Sequence, residues 1–194
     1  LRKRIPNAIH YRTQHGKRTL SPAQSWERIN NTEYPQLYTV FPWGIHRVGA
    51  PDLDIARNTW YYGADTPKQM DIVSWYQHAI FCARLGLKKE AAELTIRKMK
   101  DSGRRFPTWW GPGCDWVPDH NWGGSGMIGL QEMLLQTVGD KIHILPCWAK
   151  EKDVYFKLHA PQNTTVEVEY SGGRIQKLEV LPANRMKDVE VFLE

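Results

Sequence analysis

The spacing of apolar residues changes once along the chain, near residue 140. Before it, apolar positions recur every three or four residues, the helical period. Leu53, Ala56 and Trp60 predict a helix over 52–62. Ile72, Trp75, Tyr76, Ala79 and Ile80 predict a second over 67–85, with Pro67 in its first turn and Gly86 as its stop. Ala91, Leu94, Thr95 and Met99 predict a third over 88–101, with Lys89, Glu93, Arg97 and Lys100 on the solvated side. The short link Leu85-Gly86-Leu87 makes the second and third an αα-hairpin. Ser125, Met127, Leu130, Met133, Leu134 and Leu135 predict a fourth helix over 125–138, capped by Ser125. Residues 1–51, punctuated by five prolines, read as irregular, apart from a short helix from Ser21 to Asn30.

After Lys141 the period falls to two. Val154, Phe156 and Leu158 alternate with Tyr155, Lys157 and His159, and Val166 and Val168 alternate with Glu167 and Glu169. Ser171-Gly172-Gly173 reads as a hairpin turn. The expected fold class is therefore α+β, with helical hairpins over 1–140 followed by a small antiparallel β-domain of about five strands over 141–194.

Composition narrows the function. Apolar residues make up 41% of the 194 residues and charged ones 24%, which excludes wholesale disorder. No apolar run reaches the ~18 residues a spanning helix needs, so no integral membrane role is expected. The 26 Lys and Arg outnumber the 21 Asp and Glu, but six of the basic residues fall in residues 1–18, which hold no acid. The remainder carries 20 against 21. A nucleic-acid partner needs a basic face across the folded body, so none is expected. Cys82, Cys114 and Cys147 are widely spaced with no CxxC, and read as buried free thiols. No metal or cofactor motif is present. The sequence opens at Leu1 without an initiator Met or a signal peptide, and reads as part of a longer polypeptide.

The densest chemistry lies in residues 106–125. Four of the nine tryptophans (Trp109, Trp110, Trp116, Trp122) stand there with Asp115, Asp119, His120 and Asn121, and no lysine. Flat aromatic faces beside carboxylate, amide and imidazole groups suit a sugar, whose C–H faces stack on indole and whose hydroxyls take hydrogen bonds. The alternative is a proline-braced loop whose tryptophans fill a gap in the core, with Asp119 in a turn and His120 on the surface. Gly123-Gly124 before Ser125 lacks the spacing of a phosphate loop.

Three segments together resemble a known family: P-D-H-N-W-G-G-S-G at 118–126, Q-E-M-L-L-Q-T at 131–137 and I-H-I-L-P at 142–146. They are similar to the C-terminal part of glycoside hydrolase family 95, the α-L-fucosidases and α-L-galactosidases, whose pattern there reads D-G-N-F-G-G-T, E-M-L-L-Q-S and I-H-L-L-P. Residues 34–41 and 48–53 resemble its Pro-rich stretch before a barrel helix, and Ser74-Trp75 with Ala83-Arg84-Leu85-Gly86 resembles its S-W…A-R-L-G helix. The resemblance implies a partial (α/α)6 barrel followed by a β-domain. Such a barrel has about twelve helices of roughly 12 residues, so its earlier hairpins are expected from polypeptide outside this sequence.

The resemblance also implies an inverting, exo-acting α-glycoside hydrolase acting on oligosaccharides or glycans, without a cofactor, and exported to the periplasm or beyond the cell. Inversion needs one carboxyl to protonate the leaving oxygen and another, about 6.5–9.5 Å away, to activate water. Asp119 matches the family's water-activating aspartate. Asn121 and Trp122 fall in the same motif, and with His120, Trp116 and Trp110 of the aromatic loop they are the candidates for contacting the sugar. The general acid falls upstream of this sequence; Glu132, inside the helical motif, reads as structural. His120 stands where the family has glycine. A non-catalytic glycan-binding or structural relative is the competing expectation.

Overall fold

The computed structural model describes residues 9–26, 34–63, 76–100 and 120–193. It is a mixed α+β arrangement. A β-hairpin, β1 (His10–Gln14) and β2 (Lys17–Ser21), comes first. The helices α1 (Leu53–Tyr62), α2 (His78–Arg84), α3 (Lys88–Met99) and α4 (His120–Leu134) follow. The chain then runs through β3 (Leu135–Val138), β4 (Lys141–Ile144), β5 (Val154–Ala160), β6 (Thr164–Ser171), β7 (Arg174–Leu181) and β8 (Val189–Val191).

The opening hairpin replaces the irregular stretch that the prolines suggested. His15 and Gly16 both have positive φ, 49° and 70°, the geometry of a two-residue turn that matches strand twist. Ser21 pairs with His10 as the last residue of β2, and its hydroxyl donates to the carbonyl of Ala23 at 2.6 Å. It therefore caps no helix, and residues 22–25 form bends instead. Helix α1 holds the hairpin: the Thr59 hydroxyl accepts the Leu20 N–H at 2.7 Å and donates to the carbonyl of Ile55 at 2.7 Å.

Helices α2 and α3 form the expected hairpin. Gly86 has φ +69°, and the amides of Gly86 and Leu87 donate to the carbonyls of Ala83 and Cys82, closing α2. Helix α2 starts only at His78, with Tyr76 and Gln77 outside it; the earlier part of the predicted 67–85 helix lies outside the described residues.

Helix α4 packs across both. Its approach depends on small residues: a Cβ at Gly129 would stand 2.9 Å from the Cβ of Ala79, and one at Gly126 3.1 Å from the Cβ of Lys98. The helix predicted over 125–138 begins five residues earlier and stops at Leu134. Beyond that, antiparallel pairing of Leu135–Val138 with Lys141–Ile144 takes over the backbone hydrogen bonds. The last helical carbonyls are used as well: those of Met133 and Leu134 accept the amides of Cys147 and Leu145. A long-range partner thus overrides the helical pattern.

The C-terminal strands form two three-stranded sheets rather than one antiparallel sheet. One runs β5-β6-β7, with Gly172-Gly173 at the β6–β7 turn as expected. The other runs β3-β4-β8, and β8 joins β4 in parallel. Arg185 sets that return. From the 3-10 segment Ala183–Asp188 its guanidinium donates to the Thr164 hydroxyl (3.2 Å), the carbonyl of Asp140 (3.0 Å) and the Asp188 carboxylate (2.7 Å).

Most of the buried apolar residues fall into two clusters. One joins α1–α3 to Leu20, Leu37 and Val40; the other joins β3–β8, and Trp148 touches both. Among the described residues no helix is long and apolar enough to cross a membrane.

Candidate functional site

The start of α4 is where the predicted chemistry falls. Asp119, Trp110 and Trp116 lie outside the described residues. His120 opens the helix, and its side chain also lies outside them. The next two residues part company: Asn121 is exposed, while Trp122 turns inward to 2% exposure.

Trp122 is held by α3. Its indole N–H donates to the carbonyl of Lys98 at 2.7 Å. The Lys98 ammonium stands 5.8 Å from the centre of the indole ring and donates to the Ser125 hydroxyl at 2.6 Å. That hydroxyl donates in turn to the carbonyl of Trp122 at 3.2 Å. Lys98 is 1% exposed. A buried ammonium is costly unless polar partners and an aromatic face answer it, and this cluster supplies both. It also places a cation within the opening turns of α4, where the helix dipole already favours negative charge.

A second group lies across α2. His78, 1% exposed, is boxed by aromatic rings. Tyr76 stacks on it at 5.0 Å between centroids, Tyr34 meets it edge-on at 4.9 Å, and Trp60 meets it at 5.6 Å. Among the described residues neither ring nitrogen has a hydrogen-bond partner. Burial, followed by the charges of Lys98 and Arg97, pushes its pKa down to about 3, so the imidazole is neutral. A neutral imidazole offers one donor and one acceptor to any polar group that enters the box.

His78 and Lys98 escaped the sequence reading. Lys98 carried a signal: Ala91, Leu94, Thr95 and Lys98 follow the i, i+3, i+4, i+7 spacing of the buried face. Its charge masked that position. His78 had no comparable cue, because the rings around it come from three separated segments.

The far end of α4 is spent on support. Arg84 grips Glu132 with two hydrogen bonds, Nε to Oε2 at 3.0 Å and Nη2 to Oε1 at 2.8 Å. Burial raises the Glu132 pKa, and Arg84 opposes that rise. Gln136 donates to the carbonyls of Ala83 and Glu132 at 3.0 and 2.8 Å. Glu132 thus joins α4 to the end of α2, as its place in the motif suggested. The buried Cys82 and Cys147 are free thiols. Burial pushes Cys82 well up and Cys147 to about 12, so neither is a ready nucleophile. Cys114 lies outside the described residues.

Among the described residues no three His, Cys, Asp or Glu side chains gather as a metal site. No protein-family model matches this chain, and no curated protein matches it.

Proposed function

We propose that the protein is an inverting, exo-acting α-glycoside hydrolase of the α-L-fucosidase or α-L-galactosidase kind, exported from the cell and built on part of an (α/α)6 barrel. Asp119 takes a proton from water. The water oxygen attacks the anomeric carbon opposite the leaving group, the glycosidic C–O bond breaks, and the departing oxygen is protonated by an acid from the rest of the barrel. Asn121 holds the water beside Asp119, and His120, Trp110 and Trp116 line the sugar.

One observation carries this reading. The two halves of the resemblance sit at opposite ends of α4 and are used differently. At the E-M-L-L-Q end the Glu132 carboxylate and the Gln136 amide N–H are engaged with α2. At the other end Lys98 pins Trp122, leaving Asn121 exposed where helix dipole and buried cation both favour an anion. The inward turn of Trp122 favours the second reading, a non-catalytic glycan-binding or structural relative, because that ring is closed to a sugar.

The test uses nitrophenyl α-L-fucoside and α-L-galactoside. Their leaving group departs without protonation, so the assay depends on the base rather than the acid. Hydrolysis with inversion at the anomeric carbon is expected, and Asp119→Asn lowers kcat by about 10²–10⁴-fold. Undiminished turnover in Asp119→Asn removes Asp119 from the mechanism. Binding of fucosylated glycans with no hydrolysis establishes the second reading.

A further inference from the structure

The β1–β2 hairpin carries charge that the described structure does not answer. Residues 9–26 contain Arg12, Lys17 and Arg18 and no Asp or Glu. The Arg12 guanidinium lies 4.7 Å from the centre of the Trp26 ring, and that of Arg18 lies 4.3 Å from the centre of Tyr11. Among the described residues neither arginine forms an ion pair. A guanidinium seated over an aromatic face is fixed in place, yet keeps N–H groups around its edge for a bidentate acceptor.

Beside the Arg12–Trp26 stack lies a shallow cleft, wide open to solvent, lined by Tyr11, Arg12, Ser21, Gln24, Ser25 and Trp26. The Ser21 hydroxyl is committed to the carbonyl of Ala23, whereas Gln24 and Ser25 bring further polar groups to the wall. The hairpin itself is anchored: Thr19 and Leu20 are buried, the amide of Leu20 is tied to Thr59, and Asn58 donates to the carbonyl of Arg18 at 3.4 Å.

We propose that this cleft binds an acidic sugar unit. Arg12 grips its uronate carboxylate or sulfate ester, and Gln24 and Ser25 take its hydroxyls. The chemistry separates this ligand from a nucleic acid. Bases need free aromatic faces to stack on, and the protein's own arginines occupy Trp26 and Tyr11. A long polyanion also needs a basic face across the folded body, and beyond the basic first 18 residues the chain carries 20 basic groups against 21 acidic ones. No residue of the Asp119 site takes part and the readout is binding without turnover, so either proposal can fail alone.

The experiment is calorimetric titration of the chain at low and high salt. The probes are tetragalacturonate, a heparin tetrasaccharide, neutral maltotetraose and an oligothymidylate matched in charge. At least one acidic oligosaccharide is expected to bind, more weakly at high salt, while the neutral sugar does not. Arg12→Gln weakens binding at least about tenfold, the cost of a charge-assisted hydrogen bond. Arg12→Lys, which keeps the charge without the fork, falls between. Arg18→Gln, on the opposite face of the hairpin, changes it by about twofold or less. Circular dichroism checks that each variant is folded. The proposal is overturned if neither acidic oligosaccharide binds, if maltotetraose binds equally well, if folded Arg12→Gln keeps its affinity, or if the oligothymidylate binds more tightly than both acidic sugars.

Discussion

Replacing Arg84 with methionine isolates the contact that joins α2 to α4. Methionine keeps an apolar stem beside Phe41, whose ring the guanidinium overlies at 5.3 Å, and removes the charge. Glu132 is then left without its cation. The two side chains are only 12% and 11% exposed, so water replaces little of what is lost. Breaking a pair buried to this degree costs about 3–5 kcal/mol, a large part of the roughly 5–15 kcal/mol that holds a domain together.

The cost depends on pH, and its sign is fixed. Burial already lifts the Glu132 carboxyl above its ordinary 4.5, and Arg84 is what restrains it. Without Arg84 it rises further. Between the unfolded and folded values, the unfolded chain then holds fewer protons than the folded one. The variant's stability is therefore retained near pH 4.5 and lost as pH rises through the folded value. Urea denaturation at pH 5 and pH 8 measures this: the deficit is small at pH 5 and reaches its full size at pH 8. At about 2–4 °C per kcal/mol, the melting point at pH 8 falls by roughly 6–20 °C. Adding Glu132→Leu recovers most of the loss. A deficit equal at both pH values, or below about 1 kcal/mol at pH 8, would mean that the pair behaves as a solvated surface contact and would refute the reasoning.

Other outcomes follow from the same structure. On α4, Gly124→Ala meets nothing within 4 Å and stabilises by about 0.5–1 kcal/mol, whereas Gly129→Ala runs into Ala79 and destabilises despite the better helix former; urea midpoints of the two variants should shift in opposite directions. His78, with its pKa near 3 against the usual 6.5, refuses a proton that the unfolded chain accepts between those values. Stability present above pH 6.5 is lost as pH falls through that window, by up to about 1.4 kcal/mol per pH unit. His78→Phe flattens that slope, and an unchanged slope in urea melts from pH 4 to 7 would dissociate His78 from it. Cys82 and Cys147 resist iodoacetamide in the native chain at pH 8 and react once urea unfolds it, which mass spectrometry of the labelled peptides resolves.

Local chemistry was the legible part. The period of three to four located α1 and α3 within a residue or two. Gly86 marked the α2–α3 turn, and the alternation around Val166 and Val168 marked β6. The first hairpin was missed because its turn is His15-Gly16 rather than the commoner Asn-Gly, and because prolines on either side obscured two five-residue strands. Of the candidate site, the sequence indicated that Glu132 is structural, but it placed the start of α4 at Ser125, five residues late. It did not indicate that Trp122 turns inward, since a tryptophan beside an asparagine reads the same whichever way it faces.

What the sequence determined by itself was therefore the kind of most segments after residue 51, because helical and extended periods and glycine turns are written over a few neighbouring residues. Tertiary structure alone decided where α4 ends, how β8 returns parallel to β4, and which charges are buried. Each of those depends on a partner far along the chain: Leu145 for the carbonyl of Leu134, Asp140 and Thr164 for Arg185, and Ser125 and Trp122 for Lys98. No local pattern encodes such a meeting, because its free energy exists only once the distant partner has arrived.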